Sequence, residues 1–563
     1  MSRILTISLL VISMQLSAQT SPNKYILKFK DKKASAKSLS QPESFLSAKA
    51  IERRAKHGIA INYTDMPVSA DYLTAISGTG AKVVYQSKWL NTIIVESGNP
   101  DFFNKASSLP FVSDIQEFKV NAATSTEKNS GKSFFNNETY KSYNQLLSPG
   151  SVKRGASYDY GAAYNQINML SGIQLHDMGY RGEGMTIAVI DAGFNSADVL
   201  HAFDSLWANN QILGTHDFVE ANNNVFNTGI SSHGMMVLST IGGNMPGQII
   251  GTAPKASFWL LRSEDATSES LMEEYYWVNA AEFADSVGAD VINSSLGYTE
   301  FDNPAENHTY ADMDGNTTPV TIGADMAAQK GILVVNSAGN SGSDAWHYIG
   351  APADGDSVFS IGAVDPQGFY AFFSSTGPTY DGRIKPNIVS QGSPAAVADL
   401  SDGVSFGSGT SFSSPIIAGM SACLWQAHSN YSNMEIINAL QQSGSQSSNP
   451  DSLLGYGIPD YAAANILLSV NENNDKNFGN DILISPNPFK SGFSIELQSA
   501  SVLNKTTMVA LESINGKKVF EKSYFSNRNG KIVIDGLANL TSGVYILSVQ
   551  TGSNKWVKKV IKY

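Results

Sequence analysis

The feature that most constrains the fold is an alternation of short apolar runs with longer helical segments between residues 185 and 364. The runs are continuously apolar, as in strands buried on both faces, and the segments between them show helical periodicity. Strands that alternate with helices build a parallel sheet with helices on both faces. The sequence therefore predicts an α/β fold for this block. Its strands are expected at 185–190, 257–261, 290–297, 332–337 and 358–364, and its helices at 233–243, 269–287 and 324–330.

Polar residues and glycines stand at the ends of these predicted strands. Asp191 ends the first strand, Leu296 and Gly297 end another, and Asn340 follows a third. In parallel sheets, ligands bind outside the carboxyl ends of the strands. We therefore expect these residues to converge on one site.

Two predicted helices begin with side chains suited to acid–base chemistry. His233 opens one of them, and Ser411 opens a buried apolar helix that has Pro415 in its expected first turn. A serine hydroxyl becomes an effective nucleophile beside a base, an orienting carboxylate and donors for the oxyanion. Asp191 could hold the imidazole in one tautomer, and the strand-end amide could serve the oxyanion.

Each of these residues also has an ordinary structural interpretation. Ser411 could be a helix N-cap, since serine is common there. Asp191 and Asn340 could be turn residues, and His233 could be a surface histidine or a satisfied core histidine. Their joint order at strand and helix ends favours a catalytic set over independent coincidences.

Composition excludes several classes of function. The formal net charge of −12 and pI near 5.2 argue against a nucleic-acid or anionic-membrane partner. Cys423 is the single cysteine, so no intramolecular disulfide can form, and its apolar helix suggests a small buried hydrophobe. The sequence has no Cys/His cluster of the kind that binds structural zinc.

The chain divides by composition into several segments. Arg3, an apolar run and small residues up to Ala18 form the pattern of a secretory signal peptide. No later run is long enough to predict a transmembrane helix. A compact unit and a polar linker behind a signal suggest a prodomain, and an ordinary N-terminal binding domain is the alternative. The expected segments are a signal peptide 1–18, a small α+β prodomain 19–121, a linker 122–156, the α/β block 157–470, a linker 471–480 and a β-sandwich 481–563 of about seven strands.

Four short motifs in the α/β block resemble the signature segments of subtilisin-like serine proteases. They are Asp191-Ala-Gly, His233-Gly-Met-Met-Val, Ala338-Gly-Asn340 and Gly409-Thr-Ser411-Phe-Ser-Ser-Pro415, in the chain order of that family. The resemblance covers about residues 160–468 and implies a subtilisin-like parallel sheet and peptide-bond hydrolysis through an acyl-enzyme. It implies catalytic roles for Asp191, His233 and Ser411, an oxyanion hole with Asn340, and substrate binding along Ser295, Leu296 and Gly297.

The flanking segments carry resemblances of their own. Residues 19–121 are similar to the chaperone-inhibitor prodomain of this family, which implies that the prodomain inhibits its own enzyme and is released by self-cleavage within about 116–160. Residues 481–563, with Ile484-Ser-Pro-Asn-Pro488 and a basic end, resemble a type IX secretion sorting domain. This implies the type IX machinery as a partner and a secreted or surface location. A carbohydrate-binding sandwich is the alternative.

Parts of the sequence also suggest two other functions and a metal site. Gly403-Val-Ser405-Phe-Gly407 matches the elbow of α/β-hydrolase esterases, but only His428 follows it as a base. An inactive surface adhesin is disfavoured because every catalytic member is present. The family resemblance implies no cofactor for catalysis and allows structural calcium. Residues 312–316 are a candidate calcium loop, with a solvated turn as the alternative.

Overall fold

A computed structural model describes residues 23–118, 158–477 and 482–562, apart from gaps at 34, 36, 228, 498–504, 514–516, 526–529, 542 and 553. The expected signal peptide and the linker 122–156 lie outside the described residues. The chain separates into two compact units. Described residues up to Ser40 and from Asn62 to Phe118 form the first unit. Gln41–Ile61 and the described residues from Tyr158 onward form the second.

The first unit is a four-stranded antiparallel sheet with two helices, which confirms the expected α+β architecture. Its core includes Leu27, Ile93 and Phe102, all fully buried. In spatial order the strands are β2 (Lys82–Ser87), β3 (Thr92–Ser97), β1 (Asn23–Phe29) and β4 (Val112–Phe118), and the helices are α2 (Ala70–Ser77) and α3 (Phe102–Ser107). Helix α1 (Ala48–Lys56) lies in the second unit.

The centre of the second unit is a seven-stranded sheet in which every neighbouring pair is parallel. This confirms the α/β prediction, because the strands lie between helices in the sequence. From one edge to the other they are β13 (Ile388–Gln391), β12 (Phe359–Val364), β11 (Leu333–Ser337), β10 (Val291–Ser294), β5 (Thr186–Asp191), β9 (Ser257–Arg262) and β6 (Ile212–Asp217).

The helices of the α/β block pack around this sheet, and two antiparallel hairpins accompany them. Helix α10 is buried along most of its length, from Thr410 to Trp425. The helices are α4 (Tyr164–Asn168), α5 (Gly172–Asp177), α6 (Asp204–Ala208), α7 (His233–Gly242), α8 (Met272–Val287), α9 (Pro319–Gln329), α10 (Thr410–Ala427), α11 (Asn433–Gln442) and α12 (Tyr461–Asn477). The hairpins are β7 (Asn244–Met245) with β8 (Ile249–Ile250) and β14 (Ala395–Ala398) with β15 (Val404–Gly407).

Three helix boundaries differ from the sequence predictions for identifiable reasons. Helix α8 starts only at Met272, because the Glu273 carboxylate accepts the backbone amides of Asp265 and Ser270 and holds the preceding residues in a loop. Helix α9 starts already at Pro319, with the Thr318 hydroxyl as its N-cap. Helix α12 continues to Asn477, through much of the stretch that was expected to be a polar linker.

The C-terminal residues form two antiparallel sheets with a core of their own. Phe489, Leu511 and Leu547 are fully buried there. One sheet contains β16 (Ile482–Ser485), β17 (Phe493–Leu497) and β20 (Lys531–Ile534), and the other contains β19 (Lys518–Phe525), β18 (Thr506–Ser513), β21 (Gly543–Thr551) and β22 (Asn554–Lys562). The expected sandwich of about seven strands is confirmed.

Within the described part of the chain, no helix combines the length and the apolar character needed to cross a membrane.

Candidate active site

Asp191 and His233 form a buried pair at the end of the central strand β5. Asp191 is the last residue of β5, His233 is the first residue of α7, and the side chains are 0% and 1% exposed. Their Oδ1 and Nδ1 atoms lie 2.8 Å apart. Because a carboxylate can only accept, Nδ1 donates, and Nε2 of the neutral ring becomes the proton acceptor.

The backbone around this pair leaves no room for extra side-chain atoms. The Ala192 amide donates to the same Asp191 Oδ1 at 2.8 Å. A Cβ atom on Gly234 would lie 2.6 Å from the Gly193 carbonyl oxygen and 2.9 Å from the Asp191 Cβ. Glycine at 234 therefore allows α7 to approach β5 closely enough for the His233–Asp191 hydrogen bond.

Ser411 is the second residue of α10 and is 5% exposed. The ring of its neighbour Phe412 packs against the His233 ring, with centroids 6.0 Å apart. The start of α10 and the start of α7 are therefore in contact. The Ser411 amide belongs to the first turn of α10, where backbone amides have no partner within the helix.

The main-chain carbonyl of Ser411 is held by a side chain from another element. Pro415 is the sixth residue of α10 and therefore lies in its second turn. The sequence prediction of a place in the first turn is wrong. Because proline has no backbone N–H, the carbonyl four residues earlier, which is that of Ser411, has no donor within the helix. The Ser295 hydroxyl replaces that donor at 2.9 Å. The Ser411 hydroxyl in turn lies 3.5 Å from the Ser295 carbonyl oxygen.

Asn340 lies beyond β11, after Gly339, whose φ of +105° favours glycine. Its side-chain Oδ1 accepts the Thr410 amide at 2.8 Å and the Thr410 hydroxyl at 3.0 Å. Because both groups are donors, they fix the orientation of the amide and leave Nδ2 as the donating end beside Gly409. The Nδ2 atom lies 3.6 Å from the position that a Cβ on Gly409 would take.

A cleft of about 190 Å³ passes along these residues. Of the residues predicted from the sequence, Ser295, Leu296, Gly297, Asn340 and Ser411 line it, and the Asp191–His233 pair lies behind the start of α10. The structure thus places five of the seven predicted residues along one cleft and the other two next to the start of α10. The sequence did not assign several other lining residues to the site, among them Glu264, Glu269, Trp346 and Tyr348. Of these, only Glu264, which closely follows β9, carried a strand-end signal.

The alternative serine lies in an environment unsuited to an esterase elbow. Ser405 is in β15 and pairs with Val397 in an antiparallel hairpin, whereas the elbow requires a strand that turns directly into a helix. His428 caps the far end of α10, roughly 25 Å from the helix start for a helix of 18 residues. Its Nε2 contacts Asn465 Oδ1 at 2.8 Å. The Ser405 interpretation is therefore wrong.

The candidate calcium loop has its carboxylates engaged by protein groups. Asp312 accepts the amide and hydroxyl of Thr309, and Asp314 accepts the Asn316 amide and the Thr317 hydroxyl. Among the residues that the structure describes, no group of three or more His, Cys, Asp or Glu side chains could hold a metal ion.

An arginine supplies the positive charge beside this loop. A Cβ on Gly315 would lie 2.6 Å from Nη2 of Arg383. Nη1 of the same guanidinium lies 2.7 Å from the Asp354 carbonyl oxygen and 2.8 Å from Asp356 Oδ1. The residues present at 312–316 therefore do not fit calcium, and the turn interpretation is favoured.

Three segments of the chain match models of known protein families. Residues 182–457 match the subtilase family, and residues 24–133 match the peptidase S8 propeptide domain of Bacteroidota. Residues 483–563 match a secretion system C-terminal sorting domain. This last match confirms the expected sorting domain, which directs type IX secretion to the outside or the surface of the cell.

Individual relatives match over the α/β block. Subtilisin E of Bacillus subtilis (strain 168) is 30% identical over 280 residues, which are 49% of this chain and 64% of that protein, so the match spans less than two thirds of it. Subtilisin of Bacillus pumilus is 30% identical over 280 residues, 49% of this chain and 89% of that protein. The thermophilic serine proteinase of Bacillus sp. (strain AK1) is 29% identical over 276 residues, 49% of this chain and 60% of that protein. With the family motifs assembled around one cleft, these matches show that the chain belongs to the subtilase family.

Proposed function

We propose that this chain is a secreted serine endopeptidase that hydrolyses peptide bonds through an acyl-enzyme on Ser411. The observation that carries the proposal is the buried 2.8 Å contact between Asp191 and His233 beside the start of α10. A carboxylate in this position keeps the imidazole in the tautomer that can accept a proton. The relatives named above, which are subtilisins and a serine proteinase, support the same reaction class.

In the proposed reaction, the Ser411 hydroxyl attacks the carbonyl of the scissile peptide bond. Nε2 of His233 takes the hydroxyl proton and later delivers it to the leaving amine, and Asp191 stabilises the imidazolium between these steps. Water then attacks the acyl-enzyme by the same base catalysis and releases the acid product.

Two donors are proposed for the developing oxyanion. The Ser411 amide is a first-turn amide of α10, and Asn340 Nδ2 is the donating end of an amide whose Oδ1 is held by Thr410. A peptide substrate would lie extended beside Ser295, Leu296 and Gly297 and add a strand to that edge. Apart from water, the proposed reaction uses only these side chains and backbone amides.

The proposed partners follow from the flanking segments. The N-terminal region that matches a propeptide would inhibit its own enzyme until self-cleavage within about 116–160. The type IX secretion machinery would recognise the C-terminal sandwich.

The decisive test is Ser411→Ala in the full chain. We expect peptide hydrolysis to fall to background and labelling by a fluorophosphonate probe to disappear, because the acyl-accepting oxygen is gone. The matched control is Ser405→Ala, which should keep peptide hydrolysis and the fluorophosphonate label on Ser411. Hydrolysis by Ser411→Ala near the parental rate would refute the proposal. An unlabelled parental protein without hydrolysis would instead indicate an inactive adhesin.

A further inference from the structure

The segment Gln41–Ile61 lies within the residues that match a propeptide, yet it packs with the α/β block. The chain leaves the first unit after Ser40 and returns to it at Asn62. Between these points it forms α1, whose N-cap Ser47 accepts the Ala50 amide through its hydroxyl. By its sequence match the segment is part of the propeptide region, and by its packing it is part of the second unit.

The contacts of α1 lie at the amino ends of the central strands. Lys49 Nζ is 2.6 Å from Thr186 Oγ1 at the first residue of β5, and 2.7 Å from Asp290 Oδ2 just before β10. Arg53 Nε donates to the Lys330 carbonyl, close to the start of β11, at 3.2 Å. The backbone joins in, because the Ser47 amide donates to the Ser286 carbonyl at 2.8 Å.

This location is far from the catalytic residues. Asp191 is the last of the six residues of β5, and Thr186 is the first. At about 3.3 Å per residue, the two ends of this strand are roughly 17 Å apart. We call the surface formed by Thr186, Asp285, Asp290 and the Lys330 carbonyl the amino-edge site. It lies at the opposite end of the strands from the cleft.

A buried ion cluster holds α1 at the amino-edge site. Arg54 Nη2 lies 2.9 Å and 2.7 Å from the two carboxylate oxygens of Asp285, and Arg53 Nη2 contacts Oδ1 of the same group. The side chains of Arg53, Arg54 and Asp285 are 3%, 1% and 0% exposed. A buried charge is tolerated when it is paired and becomes strongly unfavourable when its partner is removed. Replacing the two arginines while the segment stays in place would therefore leave Asp285 buried without a counter-charge.

The shape of the site is also matched to the segment. Gly288 and Gly331 have φ values of +85° and +88° and face the segment. A Cβ on Gly288 would lie 2.8 Å from the Lys49 Cβ, and one on Gly331 would lie 2.7 Å from the Ile59 Cδ1. The α/β block thus approaches the segment more closely than other residues would allow.

We propose that the amino-edge site is an attachment site for Gln41–Ile61 that keeps the N-terminal region bound to the α/β block after the chain between them is cut. The attachment is separate from blockade of the cleft, because the site is at the other end of the strands from Ser411. Its strength depends on Arg53 and Arg54 and on their contacts with Asp285. It does not depend on catalysis.

The test uses the full chain with Ser411→Ala, so that no self-cleavage occurs, and a recognition sequence for a sequence-specific protease inserted within 122–151. After the cut, we expect the N-terminal fragment to co-elute with the remainder in gel filtration at low micromolar concentration. Arg53→Met combined with Arg54→Met should raise the dissociation constant at least about 100-fold, because Asp285 is left buried without a counter-charge.

Two controls separate attachment from general damage. Lys56→Met removes a charge from the exposed face of the same helix and should leave the dissociation constant within about twofold. Adding Asp285→Leu to the double arginine variant replaces the ion cluster by apolar side chains and should restore much of the binding. If the uncut double variant fails to fold, its N-terminal fragment can be added in trans to the cut parental protein as a competitor, and it should then fail to displace the parental fragment.

The proposal is overturned if the parental fragment separates on cutting, or if the double arginine variant and Lys56→Met bind equally well. Both readouts are measured without peptidase activity. A negative binding result would therefore not refute the proposed protease reaction. A lack of peptide hydrolysis would likewise not refute the proposed attachment.

Discussion

The Ser295 hydroxyl donates a hydrogen bond to the main-chain carbonyl of Ser411, the candidate nucleophile. This hydrogen bond replaces one that is missing from helix α10. Pro415 removes the helical donor of that carbonyl, and a residue next to β10 supplies another. A buried carbonyl without a donor costs about 1–3 kcal/mol, so the hydroxyl contributes to the position of the Ser411 backbone as well as to stability.

We predict that Ser295→Ala lowers kcat about tenfold or more for a peptide substrate with little change in KM. The backbone edge beside the substrate is retained, but the Ser411 carbonyl is left without its donor and the start of α10 shifts. Stopped-flow or steady-state kinetics on a fluorogenic peptide would measure the effect.

Ser414→Ala is the matched control for this prediction. The Ser414 hydroxyl also links α10 to β10, but it donates to Asn293 Oδ1 at 3.1 Å and not to the Ser411 carbonyl. Its loss should reduce the free energy of unfolding and leave kcat nearly unchanged. Equal losses of kcat in Ser295→Ala and Ser414→Ala would show that Ser295 has no special positioning role.

At the scale of elements, His308 and Glu274 connect a loop to two helices. Glu274 lies in α8, and its Oε2 accepts the Val320 amide at the start of α9 at 3.1 Å, while its Oε1 contacts His308 Nε2. Burial alone would lower the pKa of His308, but its hydrogen bond to Glu274 and the negative charge of that residue raise the pKa above its ordinary value of 6.5.

This raised pKa predicts a pH-dependent contribution to stability. A histidine that gains a partner on folding stabilises the folded state fully below its unfolded pKa of about 6.5, and this stabilisation is lost as the pH rises through the folded pKa. In the Ser411→Ala background, His308→Gln should therefore reduce the free energy of unfolding more at pH 5.5 than at pH 9, as measured by denaturant titration. A difference that is the same at both pH values would contradict the assignment.

The sequence predicted elements well where the signal is local and poorly where it is not. Apolar strands and the glycine-flanked start of α10 carry their own pattern, so the sheet and the convergence at Ser411 could be anticipated. The late start of α8 depends on where the Glu273 side chain folds back, and the pairing of Arg54 with Asp285 joins residues more than two hundred positions apart. No window of sequence contains such contacts.

At the scale of the whole chain, the α/β block and the C-terminal sandwich have separate hydrophobic cores. Among the residues that the structure describes, the core cluster around Ile416 and Val291 extends to Leu468, and the sandwich core begins at Ile482. The match to a sorting domain assigns the sandwich to export and not to the chemistry of the cleft.

We predict that deleting 481–563 abolishes release of the protein into the medium and leaves peptidase activity in the cell extract. The residues of the α/β core cluster are all retained after the deletion, whereas the segment that matches a sorting domain is gone. Immunoblots of medium and periplasm, in a bacterium that carries a type IX system, would locate the truncated chain. Fusing 481–563 to an unrelated periplasmic protein is the matched control and should bring that protein to the outside. Unchanged release of the truncated chain would show that export is specified elsewhere in the sequence, and loss of activity in the extract would show that the two cores depend on each other.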